Sequence, residues 1–381
     1  MSEHSKYRQQ EAITIACYTG QIPRFAERAI ESLYGSLYSS IAHLRLQGAI
    51  DTANTYAAWR DGELVTLLLF RQHASKVIVL NEGMQLAGKE IDAFAHYVFS
   101  KLRTVASIHF NAVMPERFTY AHPSLRLPCT EDIVISLPAT EEDYFARLGK
   151  STRKSLRQSL SRLQRALPVF KHEVRQGHDV PEHVMREIIG FNHARMASKQ
   201  RASALDTEAS DKLIALIGTR GIVGMASIDG RLCGGTLACR IGDDVYSLVN
   251  AHDPAYDAFS LGSVCRHLMI AAAINLQAQR FHMLGGQFET KKMVLGERQQ
   301  LDHVVLYRSR VQQLLHTGGI VKQLWRSSAY QAQSWLEHQV SRRDKTLLST
   351  AAARALPQLR ALKRHMLELL QSWRASAKKL S

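Results

Sequence analysis

The sequence predicts an α/β chain made of two similar units followed by a basic helical tail. Three observations predict it. Helical and strand patterns alternate along the chain rather than segregating into blocks. Two strand–turn–strand stretches, "WRDGELVTLLLFR" and "SIDGRLCGGTLACR", share an Asp-Gly turn at Asp61-Gly62 and Asp229-Gly230, an offset of 168 residues. With that offset held, Leu64 falls on Leu232 and Leu69 on Leu237, and the next strand stays in step, Val77 on Val245 and Leu80 on Leu248.

The elements follow in order. Residues 21–48 read as helix interrupted around Gly35. Residues 55–60 and 63–71 form a strand pair across Asp61-Gly62, and 76–81 is a third strand. From Glu90 the pattern turns helical, with Ile91, Phe94, Val98 and Leu102 on one face. Strands at 106–113 and 131–138 close the first half. A basic helix is predicted over 144–168, with Leu156, Leu160, Leu163 and Leu167 on a narrow apolar face and Lys150, Lys154, Arg157 and Arg165 on a flanking arc. It carries no aromatic residue that would stack bases, so a packed helix with a solvated charged face is preferred to an RNA-binding one. The second half repeats the order: helices through 181–200 and 209–217, strands at 221–228, 231–240 and 244–250, a loop, and a helix opening at Ser260 as N-cap. Strand patterns return at 280–285 and 301–310. This divides the chain into 1–140, 141–310 with the linking helix 144–167, and a basic tail 311–381.

Of the net charge of +15, +9 lies from residue 317 onward. Such a tail favours anionic partners, including an anionic membrane face or an assembly complex. No stretch reaches 18 uncharged apolar residues, and the N-terminal stretch has no signal-peptide core, so a cytoplasmic protein is expected. Five scattered cysteines without a CxxC pair suggest reduced thiols, and no metal-ligand spacing occurs. No Walker loop or serine elbow is present. His282 and His267 read as structural.

Two stretches carry chemistry. The loop "DAFSLGSV" enters an apolar helix with Ser260, Gly262 and Ser263 at its start, a place where free N–H groups hold anions such as a pyrophosphate. "LGGQFETKKMVLG" follows a strand end, where ligands gather in α/β sheets. There Glu289 is a candidate general base, and Lys291 and Lys292 are candidates for an anionic substrate or a developing oxyanion. Both stretches occur only in the second half, which is therefore the preferred site.

These stretches resemble the GNAT-superfamily acetyltransferases of the cellulose- and exopolysaccharide-biosynthesis type, relatives of the Fem-type peptidyl transferases. The resemblance rests on Asp253-Pro254, Tyr256, Ser260, Gly262, Gly286, Glu289 and Lys291, and covers residues 144–300. Of the family's Gln/Arg-x-x-Gly-x-Gly/Ala loop, positions Asp257, Ser260 and Gly262 keep only the last residue, and Thr290 stands where the family has Tyr. The resemblance implies tandem GNAT-like units with mixed, mainly antiparallel sheets. It also implies transfer of acetyl or another acyl group from acyl-CoA, without a metal, to an amine or hydroxyl of a sugar or polysaccharide precursor. Backbone at Gly235, Thr236 and Leu237 would then face the reacting carbonyl, and Tyr256 with Lys292 the acceptor. Two alternatives stay open: a Fem-type transferase using aminoacyl-tRNA, the one reading with a nucleic-acid partner, and a non-catalytic subunit of a polysaccharide assembly complex.

Overall fold

The computed structural model describes residues 13–167, 169–198, 203, 205–285, 288–316, 324, 327, 328, 330 and 331. Most of the expected basic tail lies outside the described residues. The chain divides into two compact units, Met1–Leu125 with His303–Leu314, and Arg126–Asp302 with Leu315–Ser381.

The first unit runs β1(Ile13–Tyr18), α1(Ala26–Tyr34), α2(Ile41–Leu46), β2(Asn54–Arg60), β3(Glu63–His73), β4(Lys76–Val79), β5(Gln85–Leu86), α3(Gly88–Lys101) and β6(Ser107–Pro115). Its sheet order is β1-β2-β3-β4-β6, antiparallel except for the parallel pair β4–β6. The predicted face of α3 is the one that buries: Ile91, Phe94 and Val98 are inaccessible, and Phe94 meets Tyr56, Phe70 and Phe110 at ring distances of 5.0–5.9 Å. Val304 and Leu306 complete that core. A second cluster joins Ile30 of α1 and Ile41 and Leu44 of α2 to Leu67 and Leu69. The expected interruption at Gly35 is a left-handed C-cap, φ 57°, which glycine adopts without a Cβ clash.

The second unit holds most of β7(Ser124–Ser136), then α4(Glu141–Arg147), α5(Lys150–Ala166), β8(Lys171–Gln176), α6(Glu182–Ser198), α7(Thr207–Arg220), β9(Gly221–Ile228), β10(Arg231–Ile241), β11(Asp244–His252), α8(Leu261–Asn275), β12(Arg280–His282), α9(Phe288–Lys292) and the first part of β13(Glu297–Tyr307). Its strands order as β8-β9-β10-β11-β12-β7, with β11–β12 the parallel pair. One core packs α8 on Val245, Phe281, Ile133 and Ile135. α6 and α7 pack on β10, with Ile188 against Gly235.

The helix expected over 144–168 is two helices. Leu148 and Gly149 take extended backbone, ψ 145° and 146°, and Leu148 is buried, so α4 stops and α5 starts afresh. The leucine face of α5 is as read from the sequence: Leu156 and Leu163 are buried, and Leu160 and Leu167 are half-buried. Leu163 is 0% exposed among Ala226, Ile228 and Val264. Leu163→Ala is expected to cost about 2–5 kcal/mol in chemical denaturation. A cost below about 0.5 kcal/mol, usual for a surface site, would contradict this docking.

The repeat extends below the level of the sequence pattern. Asp61 and Asp229 have φ of 50° and 51°, and Gly62 and Gly230 of 85° and 75°, so both turns are of the primed hairpin kind. Each hairpin also carries a β-bulge. Val65 is passed over where the pairing shifts from Trp59–Leu64 to Ala58–Thr66, and Cys233 where it shifts from Ser227–Leu232 to Ala226–Gly234. These positions again differ by the same offset.

Candidate active site

The two units differ where their parallel strands part. In the second unit β11 and β12 pair only over Asp244–Tyr246 with Arg280–His282. Beyond Tyr246, β11 continues to His252 with β10 on one side, and no strand pairs its other edge among the described residues. A fork therefore opens toward the carboxyl ends of two parallel strands, the usual place for a ligand. In the first unit β4 and β6 part after Val79 and Phe110, but Gln85 and Leu86 of β5 then pair with Met114 and Pro115 and occupy the freed edge of β6. The start of α3 is filled too. The Phe118 ring lies over Gly88, and the Glu90 carboxylate accepts from the Ala87 N–H at 3.2 Å.

The helix at the open fork has a different start. Asp253 caps the preceding 3-10 turn by accepting from the Ala255 N–H at 2.9 Å. Ser260 is left-handed, φ 55°, and its side chain makes no capping bond, unlike the expected N-cap. The N–H groups of Ser263 and Val264 reach the Ser260 carbonyl, whereas those of Leu261 and Gly262 have no acceptor among the described residues. The start of α8 thus keeps free donors and the partial positive charge of a helix N-terminus. A Cβ on Gly262 would stand 2.8 Å from His252 Nδ1, so glycine permits this close approach. His252 Nε2 is held 2.8 Å from Asp257 Oδ1. The Gly262 carbonyl accepts from Asn250 Nδ2 at 2.9 Å, and Asn250 Oδ1 accepts from Thr236 Oγ1 at 3.1 Å.

Thr236 is therefore buried and acts on the helix start through Asn250. Gly235 and Leu237 lie in β10, which is paired with β9 and β11 on both edges there; the open strand edge belongs to β11. Tyr256 is half-buried against the cluster around Leu163, and Ser263 is exposed. Lys291 Nζ donates to three carbonyls at the end of β12: Met283 at 2.6 Å, Leu284 at 2.7 Å and Gly285 at 2.9 Å. Burial and the nearby Arg266 charge lower its pKa to about 8, against the opposing pull of Asp132 and Glu131. Lys292 is exposed. Glu289 sits on α9, and its side chain lies outside the described residues, as does Gly286. His267 stacks on Tyr144 at 5.9 Å.

His282 is more connected than its sequence setting suggested. Its ring stacks on Tyr246 at 4.1 Å and bonds Asp132 Oδ2 through Nδ1 at 2.6 Å. Nε2 lies 3.8 Å from Asp244 Oδ2, an ion-pair distance, and Arg280 holds the same carboxylate through two bonds of 2.7 and 2.6 Å. Burial alone would lower the imidazole pKa; Asp132 and Asp244 overcome it and raise it above 6.5. Burial likewise works against the Asp244 carboxylate, but His282 and Arg280 prevail and lower its pKa below 3.8. A raised histidine binds its proton more tightly folded than unfolded, so its stabilisation is complete below pH 6.5 and is lost as pH climbs through the folded value. The difference in denaturation midpoint between wild type and His282→Asn should therefore shift against the wild type as pH rises past 6.5. Parallel profiles would remove His282 as its source. Sequence reasoning also passed over His252 and Arg266, although both share the neighbourhood of Gly262, Arg266 one helical turn beyond it.

No curated protein sequence matches the chain. The acetyltransferase (GNAT) domain family matches over residues 150–292. Among solved structures, FemX aligns with 11% identity and a TM-score of 0.55, covering 78% of this chain and 98% of its own. The C-terminal domain of a putative lysylphosphatidylglycerol synthetase from Agrobacterium fabrum aligns with 10% identity and a TM-score of 0.42, covering 67% and 85%. A tandem GNAT protein from the clavulanic acid biosynthesis pathway aligns with 9% identity and a TM-score of 0.36, covering 78% and 98%. Among the described residues no helix is long and apolar enough to cross a membrane, and no group of three His, Cys, Asp or Glu is placed to hold a metal. On the domain match the chain carries a GNAT-type acyltransferase fold over residues 150–292, and its likeness to FemX is one of fold.

Proposed function

We propose that the second unit transfers an acyl group, most simply acetyl, from a CoA thioester to an amine or hydroxyl of a sugar or polysaccharide precursor. The observation that carries this reading is the open fork between β11 and β12 with the uncapped start of α8 beside it. The Leu261 and Gly262 N–H groups, without an acceptor among the described residues, suit the pyrophosphate of CoA, and Asn250 and Thr236 fix the backbone that offers them. The acceptor nitrogen or oxygen attacks the thioester carbonyl carbon and the C–S bond breaks. The acceptor's proton passes to a base and then to the leaving sulfur. Glu289 is assigned as that base, Lys291 as the residue that fixes the strand end, and Lys292 and Tyr256 to the acceptor side. The basic tail would favour an anionic acceptor or membrane face.

The test is release of free CoA thiol from acetyl-CoA in the presence of amino and hydroxyl sugars. Acceptor-dependent release is expected. Absence of release, together with absence of acetyl-CoA binding, would sink the reading. One observation favours a second reading, a Fem-type aminoacyl-tRNA-dependent transferase: α5 carries Lys150, Arg153, Lys154, Arg157, Arg162 and Arg165 and no acid. Salt-sensitive tRNA binding with aminoacyl transfer would establish it instead.

A further inference from the structure

Resting on the acyl-transfer reading, we propose that Arg195 and Arg266, with Lys291 beside them, form an anion site that takes a phosphate or carboxylate group of the acyl acceptor. The three cations come from α6, α8 and α9. Arg266 is half-buried and has no hydrogen-bond or ion-pair acceptor among the described residues. Arg195 uses one Nη2 bond, to Asn192 Oδ1 at 2.8 Å, and its Nε is buried without a partner. The ammonium of Lys291 is held by carbonyls. Among the described residues, the carboxylates whose charge acts on Lys291 are already engaged, Asp132 with His282 and Glu131 with Arg298.

Burial lowers the pKa of Arg266, and the charge of Arg195 adds to that effect; Lys291 in turn feels Arg266. Desolvated like charges are kept together at a cost unless something anionic joins them. Guanidinium groups are suited to oxyanions, whose paired oxygens match the planar fork of donors. α8 packs on Val245 and Phe281 and meets β10 and β11, which α6 meets as well. Both helices border β11, whose pairing with β12 ends at Tyr246. Arg266 also lies four residues beyond Gly262, about 6 Å along the helix axis, so its anion is distinct from one held at the helix start. An anion here sits beside the fork but off the donor's helix start, which is the position of an acceptor.

The experiment is a thermal-shift titration with inorganic phosphate and with succinate, each against chloride of equal ionic strength. The proteins are wild type, Arg266→Met and Arg195→Met, with acetyl-CoA titrated in parallel. Phosphate or succinate should stabilise the wild type, and the apparent dissociation constant should rise at least tenfold in both variants. Arg266→Met should melt higher than wild type without ligand, because an unpaired desolvated charge is gone. Acetyl-CoA affinity should stay within about twofold of wild type. Equal stabilisation by chloride, or an unchanged anion response in both variants, overturns the site. Loss of acetyl-CoA binding in Arg266→Met overturns its assignment to the acceptor. An intact anion response in a wild type that binds no acetyl-CoA fails the acyl-CoA reading and leaves the anion site standing.

Discussion

Gly262→Asp is expected to abolish acyl-CoA binding while the protein still folds. The new Cβ would stand 2.8 Å from His252 Nδ1, inside any normal contact, so His252 or the helix start must move. The carboxylate would also occupy the end of α8 where a phosphate is expected and where Leu261 and Gly262 keep free donors. A ligand at a hundredfold excess over its dissociation constant stabilises by about 2.7 kcal/mol, and this gain should vanish in the variant. Steric and electrostatic parts separate in the pair Gly262→Ala and Gly262→Ala with His252→Ala. The alanine alone strikes the same ring, and removing the ring should restore part of the binding. Wild-type affinity in Gly262→Asp would place the ligand elsewhere.

Lys291→Met is the second large effect. The ammonium closes the end of β12 by donating to the Met283, Leu284 and Gly285 carbonyls, all in the strand-to-α9 link. Its loss leaves three carbonyls without that donor, at an expected cost of about 2–4 kcal/mol, together with loss of transfer activity. Arginine should not rescue it, since a planar fork cannot cup three converging carbonyls as a compact ammonium does. The lysine pKa, lowered by burial from 10.5 to about 8, gives a second readout. Between those values the unfolded chain holds the proton and the folded one releases it, so wild-type stability should gain as pH rises through that window. The gain should be absent in Lys291→Met. A variant as stable and as active as wild type would make the three-carbonyl cup dispensable.

Much of this architecture was legible in the sequence because it depends on local chemistry. Asp-Gly at 61–62 and 229–230 sets φ positive at both residues, which fixes the hairpins, and the offset then places β2–β4 on β9–β11. The α3 face of Ile91, Phe94 and Val98 and the α5 face of Leu156 and Leu163 follow from helical spacing. What separates the two units was not legible. β5 occupies the β6 edge of the first fork through two residues, Gln85 and Leu86, too short a strand to show a period, and Phe118 fills the start of α3 from thirty residues away. The break at Leu148-Gly149 was hidden because an apolar residue that pins the bend looks like one more residue on a helix face. Around the candidate site, Gly262 and Lys291 stood out by type and spacing. Asp132 and His282, 150 residues apart, meet only through the fold, which also brings the charge of Arg195 to bear on Arg266.

On the acyl-transfer proposal, acyl-CoA lodges at the open fork of the second unit rather than in the first. Hydrogen exchange with and without acetyl-CoA tests it most directly. Protection is expected for amides in 247–252 and 260–264, with none in 80–90, where β5 lies along β6. Protection confined to 80–90 and the start of α3, or no protection anywhere in the chain, would contradict it.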